Sequence, residues 1–259
     1  MLRLDEIKTF FPESLHIYPR FMLREYLQYK ILEIIYNSKY ANSFCFLGGT
    51  CLRIVHGNRR FSEDMDFDNL DLGEKKFEEI TEEIQTQLIR EGYTVDMKTV
   101  MRGAWHCYIR FPRLLFEEKF SGHQEEKILI QLDTEPQQYT YKPERIIINR
   151  FEVFTTVLTT PLSLLLSQKI YTIFNRKRNK GRDFYDVIFL LGKGVEPNYD
   201  YLNIKAGIRD ADTLKQEILK ICQVVDMEEM ARDVEPFLFD PKDKKKVLLF
   251  EEYCKQRFF

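Results

Sequence analysis

Hydrophobic positions in the first 160 residues follow two different periods. Apolar residues recur at helical spacing over residues 19–38 and 74–91, which predicts two amphipathic helices. Short apolar or alternating runs predict strands at residues 43–47, 65–68, 93–100, 105–111, 127–134 and 153–157. The three runs between residues 93 and 134 follow one another along the chain, which favours an antiparallel meander.

Beyond Pro161 the pattern becomes helical. Helices are predicted over residues 161–176, 183–192, 198–207, 211–223, 226–238 and 242–257. A proline suits the first turn of a helix, which agrees with a helix that begins at Pro161. The pattern therefore predicts an α+β domain over residues 1–155, with a mixed or antiparallel sheet, and a helical domain over residues 156–259.

Composition narrows the class of protein. With 44% hydrophobic and 31% charged residues, the chain of 259 residues should fold around a core. Its 39 basic and 41 acidic residues give a net charge of -2, which excludes a uniformly basic coat for nucleic acid but not a local basic patch. The five cysteines are scattered without a CxxC pair, so neither a zinc ribbon nor a redox dithiol is indicated.

The chain carries no signal for a membrane. No apolar run approaches the roughly 18 residues that span a bilayer. The N-terminus also lacks the apolar core of a signal peptide. We therefore expect a soluble cytoplasmic protein without a membrane partner.

One segment, residues 46–68, combines the groups that phosphate chemistry needs. A predicted strand ends at Gly48-Gly49-Thr50, and a predicted helix follows as far as His56. Glycines allow the backbone to approach an anion closely, and the start of a helix offers unpaired N–H groups. Thr50 adds a hydroxyl, so we expect this turn to hold a phosphate.

Two acids at the end of this segment predict a cation site. Asp64 and Asp66 are two positions apart on a predicted strand, so their side chains share one face. Neighbouring carboxylates repel each other unless a cation lies between them, and Mg²⁺ prefers such oxygen ligands. Asp133 closes another apolar strand and is the candidate third carboxylate of a two-metal site. Arg59 and Arg60, just upstream, are candidates for neutralising a triphosphate.

A second set of polar residues occurs in the helical half. Lys169 lies within an apolar helix, where it either extends to the surface or reaches into a cleft. Residues 176–182 include five cations, which form either a solvated loop or a grip on a triphosphate or an RNA backbone. Asp183 and Asp186 follow within one helical turn, where acids also stabilise a helix N-terminus.

The order of these features is more specific than any one of them, because Gly-Gly turns and Asp-x-Asp pairs are each common. It resembles the nucleotidyltransferase superfamily that includes DNA polymerase beta and the tRNA CCA-adding enzymes. More closely, the chain resembles the AbiEii/AbiGii (MenT-like) toxin family, whose hallmark is GGTxL, an apolar helix and RxSxDxDF, then a lysine and an RDxxD helix start. The matching residues, within residues 40–193, are Gly48, Gly49, Thr50, Leu52, Arg60, Ser62, Asp64, Asp66, Phe67, Lys169, Arg182, Asp183 and Asp186.

The resemblance implies a polymerase-beta-like nucleotidyltransferase domain and a C-terminal helical domain that contributes to the active-site cleft. Asp64 and Asp66, with Asp133, would hold Mg²⁺ or Mn²⁺. Asp183 would be a later essential acid, with Asp186 as the alternative. The residues expected to bind the nucleoside triphosphate are Gly48, Gly49, Thr50, Arg60, Ser62, Lys169 and Arg182, of which Lys169 is also expected to be catalytic.

The same resemblance implies an enzyme that moves a nucleoside monophosphate from a nucleoside triphosphate to an RNA acceptor, the 3′ end of tRNA. Such a protein would be the toxin of a toxin–antitoxin or phage-defence system, with a cognate antitoxin protein as its partner. Two alternatives remain open: transfer to a protein or small molecule, and a nucleotide-binding module without turnover. The intact set of glycines, acids and lysine favours an enzyme.

Overall fold

A computed structural model describes residues 1–257. The strands are β1 (Phe44–Leu47), β2 (Met65–Asn69), β3 (Asp96–Arg102), β4 (Ala104–Pro112), β5 (Lys127–Glu135), β6 (Glu144–Arg150) and β7 (Val153–Thr159). The helices among them are α1 (Leu4–Lys8), α2 (Pro19–Asn37), α3 (Gly48–Ile54), α4 (Glu74–Arg90) and α5 (Leu114–Glu117). The later helices are α6 (Leu162–Asn175), α7 (Gly181–Gly192), α8 (Tyr199–Ala206), α9 (Ala211–Val224), α10 (Met227–Val234), α11 (Lys245–Leu248) and α12 (Phe250–Arg257).

The chain divides into two compact units. The α+β unit consists of Met1–Gly57 and Phe61–Thr159, and the helical unit consists of Asn58–Arg60 and Thr160–Phe259. The sequence pattern predicts a boundary after residue 155 and gives no sign that three residues near position 60 belong with the helices. Those three residues lie in the connection between α3 and β2.

The α+β unit is built on one mixed sheet of seven strands, in the order β3-β4-β5-β2-β1-β7-β6. β3, β4 and β5 form the predicted antiparallel meander. β5 then pairs parallel to β2, and β7 pairs parallel to β1, while β1 and β2 are antiparallel. The predicted α+β class, with its mixed sheet and helical C-terminal part, is confirmed.

The short helices α1 and α5 are not predicted, and β6 and the last predicted helix also differ from the sequence prediction. β6 is not predicted, because Ile148 is its only buried residue and its three isoleucines are consecutive, so apolar and polar residues do not alternate. The single helix predicted over residues 242–257 consists of three pieces: a 3₁₀ turn at Pro241–Lys244, then α11, then α12. The break falls at Leu249, whose φ of -96° and ψ of 19° leave the helical range.

Helix α2 is buried on nearly all sides and is not the amphipathic helix that the sequence predicts. Of its 19 residues, 15 are buried, including several that carry charge. The buried charges are paired: Glu25 accepts two hydrogen bonds from Arg53, at 2.8 and 2.9 Å, and Arg24 donates to Glu63 at 2.7 Å. Because each charge has a partner, the polar positions of α2 can be buried with the apolar ones.

Helix α2 also joins two strands of the sheet. The Oη of Tyr36 lies 3.1 Å from the carbonyl oxygen of Phe44 and 2.9 Å from that of Leu158, on β1 and β7. Burial raises the pKa of the Tyr36 hydroxyl well above its ordinary value, so it remains a neutral donor. The pairing of β1 with β7 is short, so this hydroxyl supplements it at the point where the two strands meet.

Helix α7 is likewise mostly buried, within the helical unit. It packs against α6, α10 and α11, and nine of its twelve residues are buried. A Cβ on Gly181, its first residue, would overlap the carbonyl group of Met230, so glycine allows α10 to lie close. None of the helices among residues 1–257 combines the length and apolar character needed to cross a bilayer.

We expect Tyr36→Phe to lower the free energy of unfolding by about 1–2 kcal/mol, since it leaves buried carbonyls without their donor. Denaturant unfolding followed by circular dichroism measures the change. Tyr18→Phe is the control, because no hydrogen bond of its hydroxyl is found in the described chain. Equal stability of the two variants would contradict the role given to Tyr36.

Candidate functional site

The turn between β1 and α3 depends on a glycine without a side chain. Gly48 has a φ of +76°, a conformation that other residues rarely adopt. A Cβ at this position would overlap the carboxylate of Asp66. Register explains the contact, because Leu47 on β1 lies opposite Asp66 on β2 and Gly48 follows Leu47 directly. The predicted glycine turn and the predicted acid are therefore adjacent in space.

Thr50 contributes to the candidate site through a hydrogen bond to the backbone of Asp64. Its side chain is buried, and its hydroxyl donates a hydrogen bond to the carbonyl oxygen of Asp64. This bond ties the first turn of α3 to the residue that precedes β2. Thr50 thus positions Asp64, whereas contact of its hydroxyl with a phosphate stays a prediction.

Helix α2 contacts residues 61–63, which lead to Asp64, and so anchors their backbone. The Nε2 of Gln28 donates to the carbonyl oxygens of Ser62 and Glu63, at 3.1 and 2.9 Å. The ring of Phe61 stacks on that of Phe21, with centroids 4.8 Å apart. Asp64 itself is exposed, so a well-anchored backbone presents an accessible carboxylate.

The third predicted acid lies on the strand next to Asp66. Asp66 and Asp133 are register partners in the parallel pairing of β2 with β5. His106 on β4 is in turn the register partner of Asp133, and its Nδ1 lies 2.6 Å from the Oδ1 of Asp133. The Nε2 of Gln131 donates to both oxygens of the same carboxylate, at 2.8 and 3.0 Å. A row of His106, Asp133 and Asp66 therefore crosses three neighbouring strands.

The sequence offers no local signal for His106. It stands alone in an apolar strand, 27 positions from Asp133. Only the register of the meander brings the two side chains together. His106 and Gln131 orient the carboxylate of Asp133 and engage its oxygens, so a metal-ligand role for Asp133 stays a prediction.

Asp68 is a second residue that sequence reasoning did not single out. Its carboxylate is buried and accepts hydrogen bonds from the backbone N–H of Gln137, at 2.9 Å, and from the Oη of Tyr141, at 2.7 Å. Burial raises its pKa, although both hydrogen bonds act in the opposite direction. Asp68 thus fastens the connection between β5 and β6 to the central strand.

The donor set at the glycine turn suits a hard divalent cation. Asp64 and Asp66 offer only carboxylate oxygens, the ligands that Mg²⁺ prefers. Among residues 1–257, no three His, Cys, Asp or Glu side chains already form a metal cage. Mg²⁺ is commonly held by one or two carboxylates together with water and substrate phosphates, so two acids fit that pattern.

The predicted residues of the helical unit form a cluster of charges around the buried carboxylates of Asp183 and Asp186. Asp186 is 0% exposed and accepts hydrogen bonds from the Nε and the Nη2 of Arg60, at 2.7 and 2.6 Å. The Nζ of Lys169 lies 3.0 Å from both Asp183 and Asp186. Arg176 completes the cluster with an ion pair of 2.6 Å to Asp183. Cations and carboxylates therefore alternate through it.

Mutual attraction keeps this cluster charged. Burial alone would raise the pKa of Asp186, but Arg60 and Lys169 outweigh it and hold that pKa below its ordinary value. Burial likewise acts to lower the pKa of Lys169, and Asp186 and Asp183 raise it above the ordinary value. Lys169, whose side chain is 15% exposed, is therefore an ammonium ion with two carboxylate partners, and its contact with nucleotide phosphates remains a prediction.

Arg60 ties residues 58–60 to α7. It is 2% exposed, and it forms an isolated antiparallel bridge with Leu238. Asn58 donates to the same Asp186 carboxylate at 2.8 Å. The guanidinium of Arg182 lies over the ring of Phe237, 4.4 Å from its centroid. Both arginines thus have structural contacts, and their predicted nucleotide contacts stay predictions.

Comparison with known proteins identifies related chains. A family model described as the nucleotidyl transferase AbiEii toxin of a type IV TA system matches residues 30–246. The solved structure of JHP933 from Helicobacter pylori has a similar fold, with a TM-score of 0.58 and 15% identity over 92% of each chain. A structure described as a candidate nucleotidyltransferase from H. pylori gives the same score and identity over 92% of this chain and 94% of that one. No curated protein matches.

We expect Asp186→Asn to lower the free energy of unfolding by about 3–5 kcal/mol, because it leaves the buried Arg60, and Lys169 beside it, with less compensating charge. The lowered pKa of Asp186 means that its stabilisation is present above about pH 4 and is lost as the pH falls through that lowered value. Urea unfolding between pH 3 and pH 7 measures both effects. The stability gap between wild type and variant should narrow towards the acid end.

The control for this variant is Asp200→Asn, which removes an exposed acid of the same unit. Its stability should stay within about 0.5 kcal/mol of the wild type. A similar small loss in Asp186→Asn would show that the buried cluster contributes little to folding.

Proposed function

The chain belongs to the AbiEii nucleotidyltransferase toxin family, and from this premise we propose that it moves a nucleoside monophosphate from a nucleoside triphosphate to the 3′ end of a tRNA. The family is that of the toxins of type IV toxin–antitoxin systems, so the substrate class and a cognate antitoxin follow from membership. The choice of tRNA and the need for a metal ion are our proposal.

The contact between Gly48 and Asp66 is the observation that carries the proposal. It brings a backbone turn able to approach a phosphate next to an acid able to hold a cation. Asp64 is anchored beside them through Thr50. Charge neutralisation and positioning account for most of phosphoryl-transfer catalysis, and these residues serve both.

A divalent ion, Mg²⁺ or Mn²⁺, held by Asp64 and Asp66 would neutralise charge on the phosphate oxygens. The backbone at Gly48 and Gly49 would lie against the triphosphate. An acceptor hydroxyl then attacks the α-phosphorus, the new O–P bond forms, and the bond to the bridging oxygen breaks. Pyrophosphate leaves, and the hydroxyl proton passes to solvent or to a nearby base. Lys169 and Asp183 are assigned to this machinery only on family resemblance.

Exposed cations support an RNA acceptor. Arg176, Lys177, Arg178 and Lys180 are exposed in the connection between α6 and α7. Arg176 pairs with Asp183, and Arg178 lies 4.0 Å from Glu229, but Lys177 and Lys180 have no carboxylate partner among residues 1–257. Such lysines bind a phosphate backbone without reading its sequence.

We expect Asp64→Asn and Asp66→Asn each to lower transferase activity on the order of a hundredfold or more, since each removes a charge that the reaction needs. The assay combines the protein, Mg²⁺, each α-labelled nucleoside triphosphate in turn, and total RNA or cell extract. Asp71→Asn, an acid with 93% of its side chain exposed, is the matched control and should keep wild-type activity.

The position of the label separates the possible acceptors. Label at the 3′ end of tRNA supports the proposal. Label on protein or on a small molecule would replace tRNA as the acceptor. No transfer under any condition, with cellular toxicity unchanged in both aspartate variants, would overturn the proposed chemistry.

A second prediction concerns the glycine turn. Gly48→Ala should lose activity on the order of a hundredfold, because its Cβ displaces Asp66. Gly57→Ala is the matched control, since Gly57 has the same φ of +76° and an added Cβ there meets nothing within 4 Å. Both variants carry the same backbone strain, about 1–2 kcal/mol. Equal activity of the two would show that the Asp66 contact has no role in the reaction.

A further inference from the structure

A large cavity lies within the helical unit, apart from the charged cluster around Asp186. Its volume is about 630 Å³, within the range of small-molecule sites. It lies between the C-terminal half of α7, the segment 242–246 and the start of α12. None of the residues assigned above to the transfer reaction lines it.

Positive charge surrounds this cavity. Four exposed lysines line it, against one acid, Asp243. Asp243 is already engaged, since Lys246 lies 3.0 Å from it and the Oη of Tyr185 donates to it at 3.2 Å. Lys193, Lys242 and Lys245 have no carboxylate partner among residues 1–257. The cavity therefore carries an uncompensated positive rim.

The wall of the cavity is apolar and partly aromatic. Ile188, Phe189, Leu249 and Tyr253 provide its apolar lining. Leu249 is 44% exposed, so its side chain is accessible to a ligand in the cavity. The Nζ of Lys193 lies 5.3 Å from the centroid of the Phe189 ring, so an ammonium group stands next to an aromatic wall.

We propose that this cavity binds a nucleoside phosphate, either as a free nucleotide or as one nucleotide of an RNA chain. The flat base would rest against the apolar wall, and the phosphate would lie among Lys193, Lys242 and Lys245. Aromatic and apolar surfaces accept any base, and lysine recognises phosphate as a point charge. The site is a binding site additional to the proposed transfer chemistry.

Two features favour a nucleotide over an acidic protein segment. The lysines are gathered at one cavity rather than spread along a groove, which suits one compact anion. The aromatic wall and the cations also adjoin each other, as the base and phosphate of a nucleotide do. An acidic peptide, which lacks a base, would leave the wall of Phe189 and Tyr253 largely unused.

Binding to the full chain tests the proposal with three probes: adenosine monophosphate, a short single-stranded RNA and a polyglutamate peptide. Calorimetry is carried out with a chelator present, so that metal-dependent triphosphate binding does not contribute. We expect adenosine monophosphate or the RNA to bind, and Lys242→Glu/Lys245→Glu to weaken that binding about tenfold or more. Tighter binding of the RNA than of the monophosphate would identify RNA as the source of the nucleotide.

A second variant fills the cavity without changing charge. Gly192 lines it and ends α7, so Gly192→Leu should block binding to a similar extent. The control Lys205→Glu/Lys220→Glu makes the same charge change outside the lining and should stay within about twofold of the wild type. Circular dichroism confirms that each variant is folded.

Photolabelling locates the ligand. An azido-adenosine monophosphate should modify peptides containing Phe189 or Tyr253, and Gly192→Leu should abolish that label. Label confined to other peptides, unchanged binding in both cavity variants, or binding of polyglutamate alone would each overturn the proposal.

Discussion

The close approach of the Asp66 carboxylate to Gly48 is the constraint on which the candidate site depends. It requires β1 and β2 to pair in one register, with Leu47 opposite Asp66. A slip of one residue would send Asp66 to the opposite face of the sheet. It also requires a residue without a Cβ and with positive φ at position 48. The β1–β2 pairing, the Gly48 turn and the Asp66 carboxylate therefore depend on one another. The hydrogen bond from Thr50 to Asp64 adds the other acid of the motif to this arrangement.

In the helical unit, ion pairs around the buried Asp186 carboxylate fix the positions of the elements. Asp186 lies between Arg60 and Lys169 with no exposure to solvent. Such a cluster contributes less stability than its attractions suggest, because removing the charges from water costs much of the gain. The cluster fixes the positions of the elements that carry it. If α6, α7 or residues 58–60 were displaced, one of the charges would be left without a partner. Arg60 and Lys169 hold these elements together through their ion pairs, and their contact with a nucleotide stays a prediction.

Secondary-structure elements that show a local hydrophobic period could be predicted from the sequence. Side-chain contacts between residues distant in the chain mostly could not. The meander, the central strands and most helices follow from hydrophobic spacing, whereas β6 has too few buried residues to show such spacing. Helix α2 looks amphipathic because some of its apolar residues recur at helical spacing, but its charged residues Arg24 and Glu25 find partners inside the protein. The pairing of His106 with Asp133 depends on strand register, which no local pattern encodes. The motif residues could be named from sequence, but the hydrogen bonds of Thr50 and Arg60 could not.

The net charge of -2 does not tell how much positive charge the protein offers to a phosphate, because it does not distinguish paired from unpaired basic residues. A cation can attract an anionic ligand only to the extent that acids have not already neutralised it. Arg60, Lys169 and Arg53 are neutralised within the fold, so they add to the count of basic residues without adding to the field outside. Lys177 and Lys180 in one stretch, and Lys193, Lys242 and Lys245 in another, are exposed without such partners. The positive charge available to a phosphate therefore depends on exposed cations without a carboxylate partner, such as these lysines, and the total of 39 basic residues does not measure it.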